Sequence, residues 1–125
     1  MNGLVLVALG GAIGASGRHL VGMATLRYFG PAFPWGTLAV NVIGSFAMGV
    51  MVELLATKFN ASNDIRLFLA TGLLGGFTTF SAFSLDVGLM LERKELLNAG
   101  LYASASVVAS IAALFAGLAL VKAVL

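Results

Sequence analysis

Polar side chains that could bind an ion lie within a segment that is otherwise apolar. Residues 67–85 carry no charge, yet they contain three glycines and the hydroxyl residues Thr78, Thr79 and Ser81. A face of small residues for helix packing is one interpretation. A helix break is the other, because glycine leaves helical geometry easily and a break frees backbone groups that then need a partner. The hydroxyl residues beside the glycines favour the break.

Three phenylalanines recur at every third position of this segment: Phe77, Phe80 and Phe83. Such a stripe can be simple packing against lipid or a protein core. A phenyl ring also has a positive edge, which can hold a dehydrated anion weakly, and conduction requires weak holding at several sites.

A second set of polar groups follows a spacing of four residues: Tyr102, Ser106 and Ser110. This spacing puts them on one face of a helix. Hydroxyls in membrane helices often bond the carbonyl four residues earlier, which is the structural alternative. A stacked row of donors would instead form a hydrogen-bonding track for an anion that sheds its water.

Two further polar residues lie among apolar neighbours nearer the start. Asn41 could join two helices, or its amide could supply two donors to an anion. Arg18 lies about eight residues before the end of its apolar stretch. Its side chain could extend to a lipid headgroup, but an ionisable residue within a span favours a water-filled vestibule.

The rest of the sequence is suited to a membrane. Of 125 residues, 60% are hydrophobic and 10% are charged, with a net charge of +2 and no cysteine. A soluble domain has about 25% charged residues, so soluble, disordered, coiled-coil and nucleic-acid-binding classes are excluded. An acid–base pair, a metal-ligand cluster and a phosphate-binding loop are all missing from the sequence, and we therefore expect no enzyme.

The apolar stretches predict an all-α integral membrane protein with four transmembrane helices. The spans are expected near residues 3–26, 36–56, 66–91 and 96–123, within a single transmembrane domain covering 1–125. Each can cross a hydrocarbon core of about 30 Å, which takes about 20 helical residues.

Three segments resemble the Fluc (CrcB) family of fluoride channels. They are Gly14-Ala15-Ser16-Gly17-Arg18, Pro34-Trp35-Gly36-Thr37-Leu38-Ala39-Val40-Asn41 and Thr71-Gly72-Leu73-Leu74-Gly75-Gly76-Phe77-Thr78-Thr79-Phe80-Ser81-Ala82-Phe83-Ser84. The resemblance covers nearly the whole chain. One departure is Asp86, where many relatives carry Glu, and we expect it to affect no core role.

The resemblance implies a passive channel of the cell inner membrane that exports cytoplasmic fluoride and so protects the cell. It also implies an antiparallel homodimer with two pores and a central structural sodium ion (Na+), held by the backbone carbonyls of Gly75 and Thr78 from both subunits. The implied pore and vestibule residues are Asn41, Phe80, Phe83, Tyr102, Ser106, Ser110 and Arg18.

The distribution of basic residues fits a protein that inserts in both orientations. One side of the membrane would hold Arg27, Arg93 and Lys94, and the other Lys58, Arg66 and Lys122. Orientation follows the Lys/Arg bias of short loops, and three against three gives no bias. We therefore expect a dual-topology homodimer.

Two other functions are compatible with four spans. A small multidrug-type transporter needs an intramembrane carboxylate, but no acid precedes Glu53, and Glu53 and Asp86 lie near span ends. A non-transporting membrane scaffold subunit needs neither the stacked donors nor the glycine-rich segment.

Overall fold

The computed structural model describes residues 2–57 and 62–125. Within these ranges it is helical, without strands. We label the helices α1 (Gly3–Phe29), α2 (Trp35–Thr57), α3 (residues 63–77), α4 (Phe80–Glu92) and α5 (Leu96–Val124). Four segments are long and apolar enough to span a membrane: Gly3–Phe29, Trp35–Ala56, Asn63–Glu92 and Leu96–Val124. The prediction of an all-helical chain with four spans is confirmed. Most of the connection after α2, including Lys58, lies outside the described residues.

Local signals set the ends of α1 and the corner before α5. The side chain of Asn2 caps α1 by accepting a hydrogen bond from the Leu4 amide at 2.7 Å. Gly30 ends the helix at φ 77°, a positive angle that glycine adopts without steric cost. At the corner, the Arg93 guanidinium pairs with Glu95 and lowers the pKa of that carboxyl.

Glycines let the helices approach until their backbones touch. A Cβ added to Gly14 of α1 would lie 2.0 Å from the carbonyl oxygen of Leu73 in α3. A Cβ added to Gly49 of α2 would lie 2.1 Å from the carbonyl oxygen of Leu114 in α5. The bundle is therefore built on two close pairs, α1 with α3 and α2 with α5, each of which depends on small residues in the way common for membrane helices.

The third span changes geometry along its length. It consists of an α-helical turn (Asn63–Arg66), a π-helical segment (Leu67–Leu74) and a short helical turn (Gly75–Phe77). Thr78 and Thr79 are then extended, with ψ of 160° and 125°, before α4 begins at Phe80.

The extended residues are the threonines, whereas Gly75 keeps helical angles of −62° and −39°. The Thr79 hydroxyl caps α4 by accepting a hydrogen bond from the Ala82 amide at 3.1 Å. A threonine suits this position because it favours extended backbone and is a good helix cap.

Candidate functional site

Five of the predicted pore residues line one cavity of about 420 Å³ between α2, the Thr78–Thr79 segment, α4 and α5. They are Asn41, Phe80, Phe83, Ser106 and Ser110. The described side chains that line this cavity are uncharged, half of them polar and half apolar, and most of the lining surface is apolar. The cavity thus combines a few hydrogen-bonding groups with a surface of low polarity.

The two serines have no hydrogen-bond partner within the described part of the chain. The hydroxyl oxygens of Ser106 and Ser110 are both buried, and neither bonds the carbonyl four residues earlier. The structural alternative considered for these residues is therefore wrong. A buried hydroxyl without a partner is costly, so both groups are available to a ligand in the cavity.

The side-chain amide of Asn41 makes two hydrogen bonds with the backbone of Thr79. Its Nδ2 donates to the Thr79 carbonyl at 3.0 Å, and its Oδ1 accepts from the Thr79 amide at 2.8 Å. One N–H of Asn41 is not used by this pair. The two interpretations of Asn41 are thus compatible, because a residue that joins two helices can keep one donor for the cavity.

The three phenylalanines of the stripe have two different environments. The rings of Phe80 and Phe83 are 5.5 Å apart and inclined by 50°, and both line the cavity. Phe80 is 77% exposed in the single chain. The Phe77 ring instead approaches Gly17 of α1 and Gly44 of α2.

Tyr102 is on the same helix as the two serines, but its side chain has different neighbours. It is fully buried, between the rings of Phe33 and Phe83. Its hydroxyl donates to the carboxylate of Asp86 at 2.9 Å. The sequence did not indicate this partner for Asp86. The signal that could have found it is the presence of a charged residue within a span.

A second cavity, of about 590 Å³, opens beside the first. Arg18, Thr79, Asp86 and Arg93 are among its lining residues. The Arg18 Nε donates to the carbonyl of Gly76 at 3.1 Å. The side chain is therefore directed to the third span rather than to a lipid headgroup, and it stabilises a carbonyl at the end of α3.

The geometry around Thr78 also affects the two carbonyls expected to hold sodium. In a continuous helix the Gly75 carbonyl would accept from the Thr79 amide, but that amide donates to Asn41. The Thr78 carbonyl would accept from the Ala82 amide, which donates to the Thr79 hydroxyl instead. Both oxygens lack their helical donors, so they fit a hard cation, which prefers oxygen ligands. The described residues contain no cluster of three or more His, Cys, Asp or Glu side chains for a metal.

Comparison with known proteins agrees with the resemblance found in the sequence. Residues 5–118 match the family described as "CrcB-like protein, Camphor Resistance (CrcB)". Proteins named "Fluoride-specific ion channel FluC" are similar over almost the whole chain. One from Chelativorans sp. is 62% identical and covers 100% of both chains. One from Rhizobium etli is 60% identical over 95% of both. Another from Agrobacterium fabrum is 59% identical over 96% of both. The chain belongs to the CrcB family.

Proposed function

We propose that this protein is a fluoride-selective channel that exports cytoplasmic fluoride by passive, electrogenic conduction and thereby protects the cell from fluoride toxicity. Its relatives carry the name of a fluoride-specific channel. The observation that carries the proposal is the pair of buried hydroxyls of Ser106 and Ser110, which no described residue binds. They lie on a cavity whose described lining residues are uncharged.

Fluoride is small and strongly hydrated, so a path for it must replace water by several donors in series. Ser106, Ser110 and the free N–H of Asn41 can each donate a hydrogen bond. The ring edges of Phe80 and Phe83 add a weak positive field between these donors. The described residues that line the cavity include no Lys or Arg, either of which would bind the ion too tightly to release it.

Tyr102 and Arg18 have separate parts in this proposal. The Tyr102 hydroxyl is already donated to Asp86, and so this pair is suited to shaping the path between the two cavities. Arg18 lines the larger cavity, where its positive charge raises the local concentration of anions. The larger cavity then acts as the vestibule and the smaller one as the narrow part of the pore.

We further propose that the channel is an antiparallel, dual-topology homodimer in the cell inner membrane. Phe80 lines the cavity and yet is 77% exposed, which supports a partner subunit that covers it. The carbonyls of Gly75 and Thr78 from two opposed subunits would hold a central Na+. That ion would supply positive charge that neutralises these oxygens, while the chain itself holds them in place through the bonds of Asn41 and Thr79.

Fluoride efflux from liposomes tests the function. Purified protein is reconstituted in vesicles loaded with potassium fluoride, and efflux is followed with a fluoride electrode after valinomycin is added. We expect fast efflux that requires valinomycin, and no efflux of chloride. Efflux that needs a proton gradient, or that is independent of membrane voltage, would contradict a channel and favour a coupled transporter.

Labelling of a single cysteine tests the topology. The chain has no cysteine, so Asn63→Cys gives one exposed reporter at the first residue of the third span. An impermeant reagent applied from outside should label about half of the molecules in whole cells, because the loop charges give no bias. Labelling of nearly all or nearly none of them would overturn the dual topology.

A further inference from the structure

Helix α2 contacts both extended residues of the third span: Thr79 through hydrogen bonds and Thr78 through side-chain packing. Asn41 holds the backbone of Thr79, as described above. Gly44, three residues later on the same face of α2, is buried against the side chain of Thr78. A Cβ added at Gly44 would lie 2.2 Å from Thr78 Cγ2 and 3.3 Å from Phe77 Cδ2. Because Gly44 has no side chain, the methyl group of Thr78 has space to pack against α2.

The methyl cannot turn away from Gly44 without loss. The Thr78 hydroxyl donates to the Leu74 carbonyl at 3.0 Å, and the Thr78 amide donates to the same oxygen at 3.1 Å. Any other staggered rotamer would move the hydroxyl away from Leu74. The hydroxyl thus fixes the rotamer, and the rotamer directs the methyl at α2.

We propose that Gly44 is a positioning residue of the pore, because it receives the Thr78 methyl and so keeps Thr78 and Thr79 extended against α2. The inference rests on the proposed channel function and adds to it a residue of the cavity wall that has no side chain with which to bind the ion. A side chain at position 44 would have to displace Thr78 or separate α2 from the third span. Separation of α2 from the third span would stretch both hydrogen bonds between Asn41 and Thr79 and would therefore change the shape of the cavity.

A pair of substitutions tests this contact directly. Gly44→Ala adds the clashing methyl, and Thr78→Ser removes the Cγ2 that it meets while keeping the hydroxyl. We expect Gly44→Ala to lower fluoride efflux by about tenfold or more in the Thr78 background, the size expected for an overpacked contact. In the Thr78→Ser background the same substitution should cost less than about threefold, because the methyl is gone.

Two matched glycine variants serve as controls. Gly100→Ala meets no atom within 4 Å and should leave efflux unchanged. Gly49→Ala would place its Cβ 2.1 Å from the Leu114 carbonyl oxygen, far along α2 from Thr78. It should be damaging in both backgrounds, since Thr78→Ser does nothing at that contact.

Thermal unfolding of the same variants in detergent separates this inference from the channel function, because it does not depend on conduction. A wild-type protein that fails to conduct fluoride would refute the channel, while the coupling between positions 44 and 78 would still be measured by melting temperature. Wild-type efflux in Gly44→Ala overturns the positioning role even if its melting temperature falls. An equal loss of efflux in both backgrounds also overturns it. If Gly44→Ala does not fold, recovery of folding and efflux in the double variant supports the role, and failure of the double variant refutes it.

Discussion

Removal of the two unpartnered hydroxyls should separate conduction from stability. Ser106→Ala and Ser110→Ala each delete a buried hydroxyl that no described residue binds. A buried polar group without a partner costs about 1–3 kcal/mol, so neither change should lower stability, and each can raise it. A hydrogen bond from a hydroxyl to an anion contributes about 1.5–3 kcal/mol. At about 1.4 kcal/mol for each factor of ten in rate, we expect each variant to conduct fluoride about ten to a hundred times more slowly.

The assay measures efflux from liposomes and melting temperature in detergent on the same preparations. Ser16→Ala is the matched control, since the Ser16 hydroxyl donates to the Ala12 carbonyl of its own helix at 2.7 Å and lies outside the cavity. This control should conduct at the wild-type rate. Wild-type efflux in both cavity variants would show that these two hydroxyls do not bind the conducted ion. So would a fall in melting temperature that accompanies the loss of efflux, because the hydroxyls would then be structural.

Three further predictions follow from the same site. Phe83→Ile keeps bulk but removes the ring edge, so it should slow efflux without disrupting the proposed dimer. Phe80→Ile should do the same, and wild-type rates in both variants would leave only a packing role for the rings. Asn41→Leu removes both hydrogen bonds to Thr79 and should lower the free energy of unfolding by about 2 kcal/mol or more. Denaturation in detergent measures this value, and an unchanged free energy of unfolding would contradict the pairing of Asn41 with Thr79. Replacement of sodium by N-methylglucamine should lower the melting temperature reversibly if a central Na+ is bound, whereas an identical melting curve without sodium would exclude that ion.

The hydropathy of the chain was sufficient to predict the four spans. Apart from Arg18 and Asp86, the charged residues lie near the ends of the apolar stretches. A lipid-spanning segment needs helical structure whatever its neighbours are. The polar residues worth examining were also visible in the sequence, because polar groups are rare within spans. Asn41, Ser106 and Ser110 were chosen this way, whereas Phe80 and Phe83 were chosen by their regular spacing, and one cavity is lined by all five.

The sequence could not assign partners to these groups, because helical spacing shows which residues share a face and not what packs against that face. Tyr102 and Ser106 are four residues apart on α5, yet Tyr102 bonds Asp86 of α4 while the Ser106 hydroxyl has no described partner. The extended residues are likewise Thr78 and Thr79 rather than the preceding glycines, since Asn41 of α2 supplies the hydrogen bonds that a helix would have supplied to Thr79. Composition and periodicity therefore determined the spans and the candidate residues. Only the packing of α2 and α5 against the third span decided which polar groups are paired and which remain open to an ion.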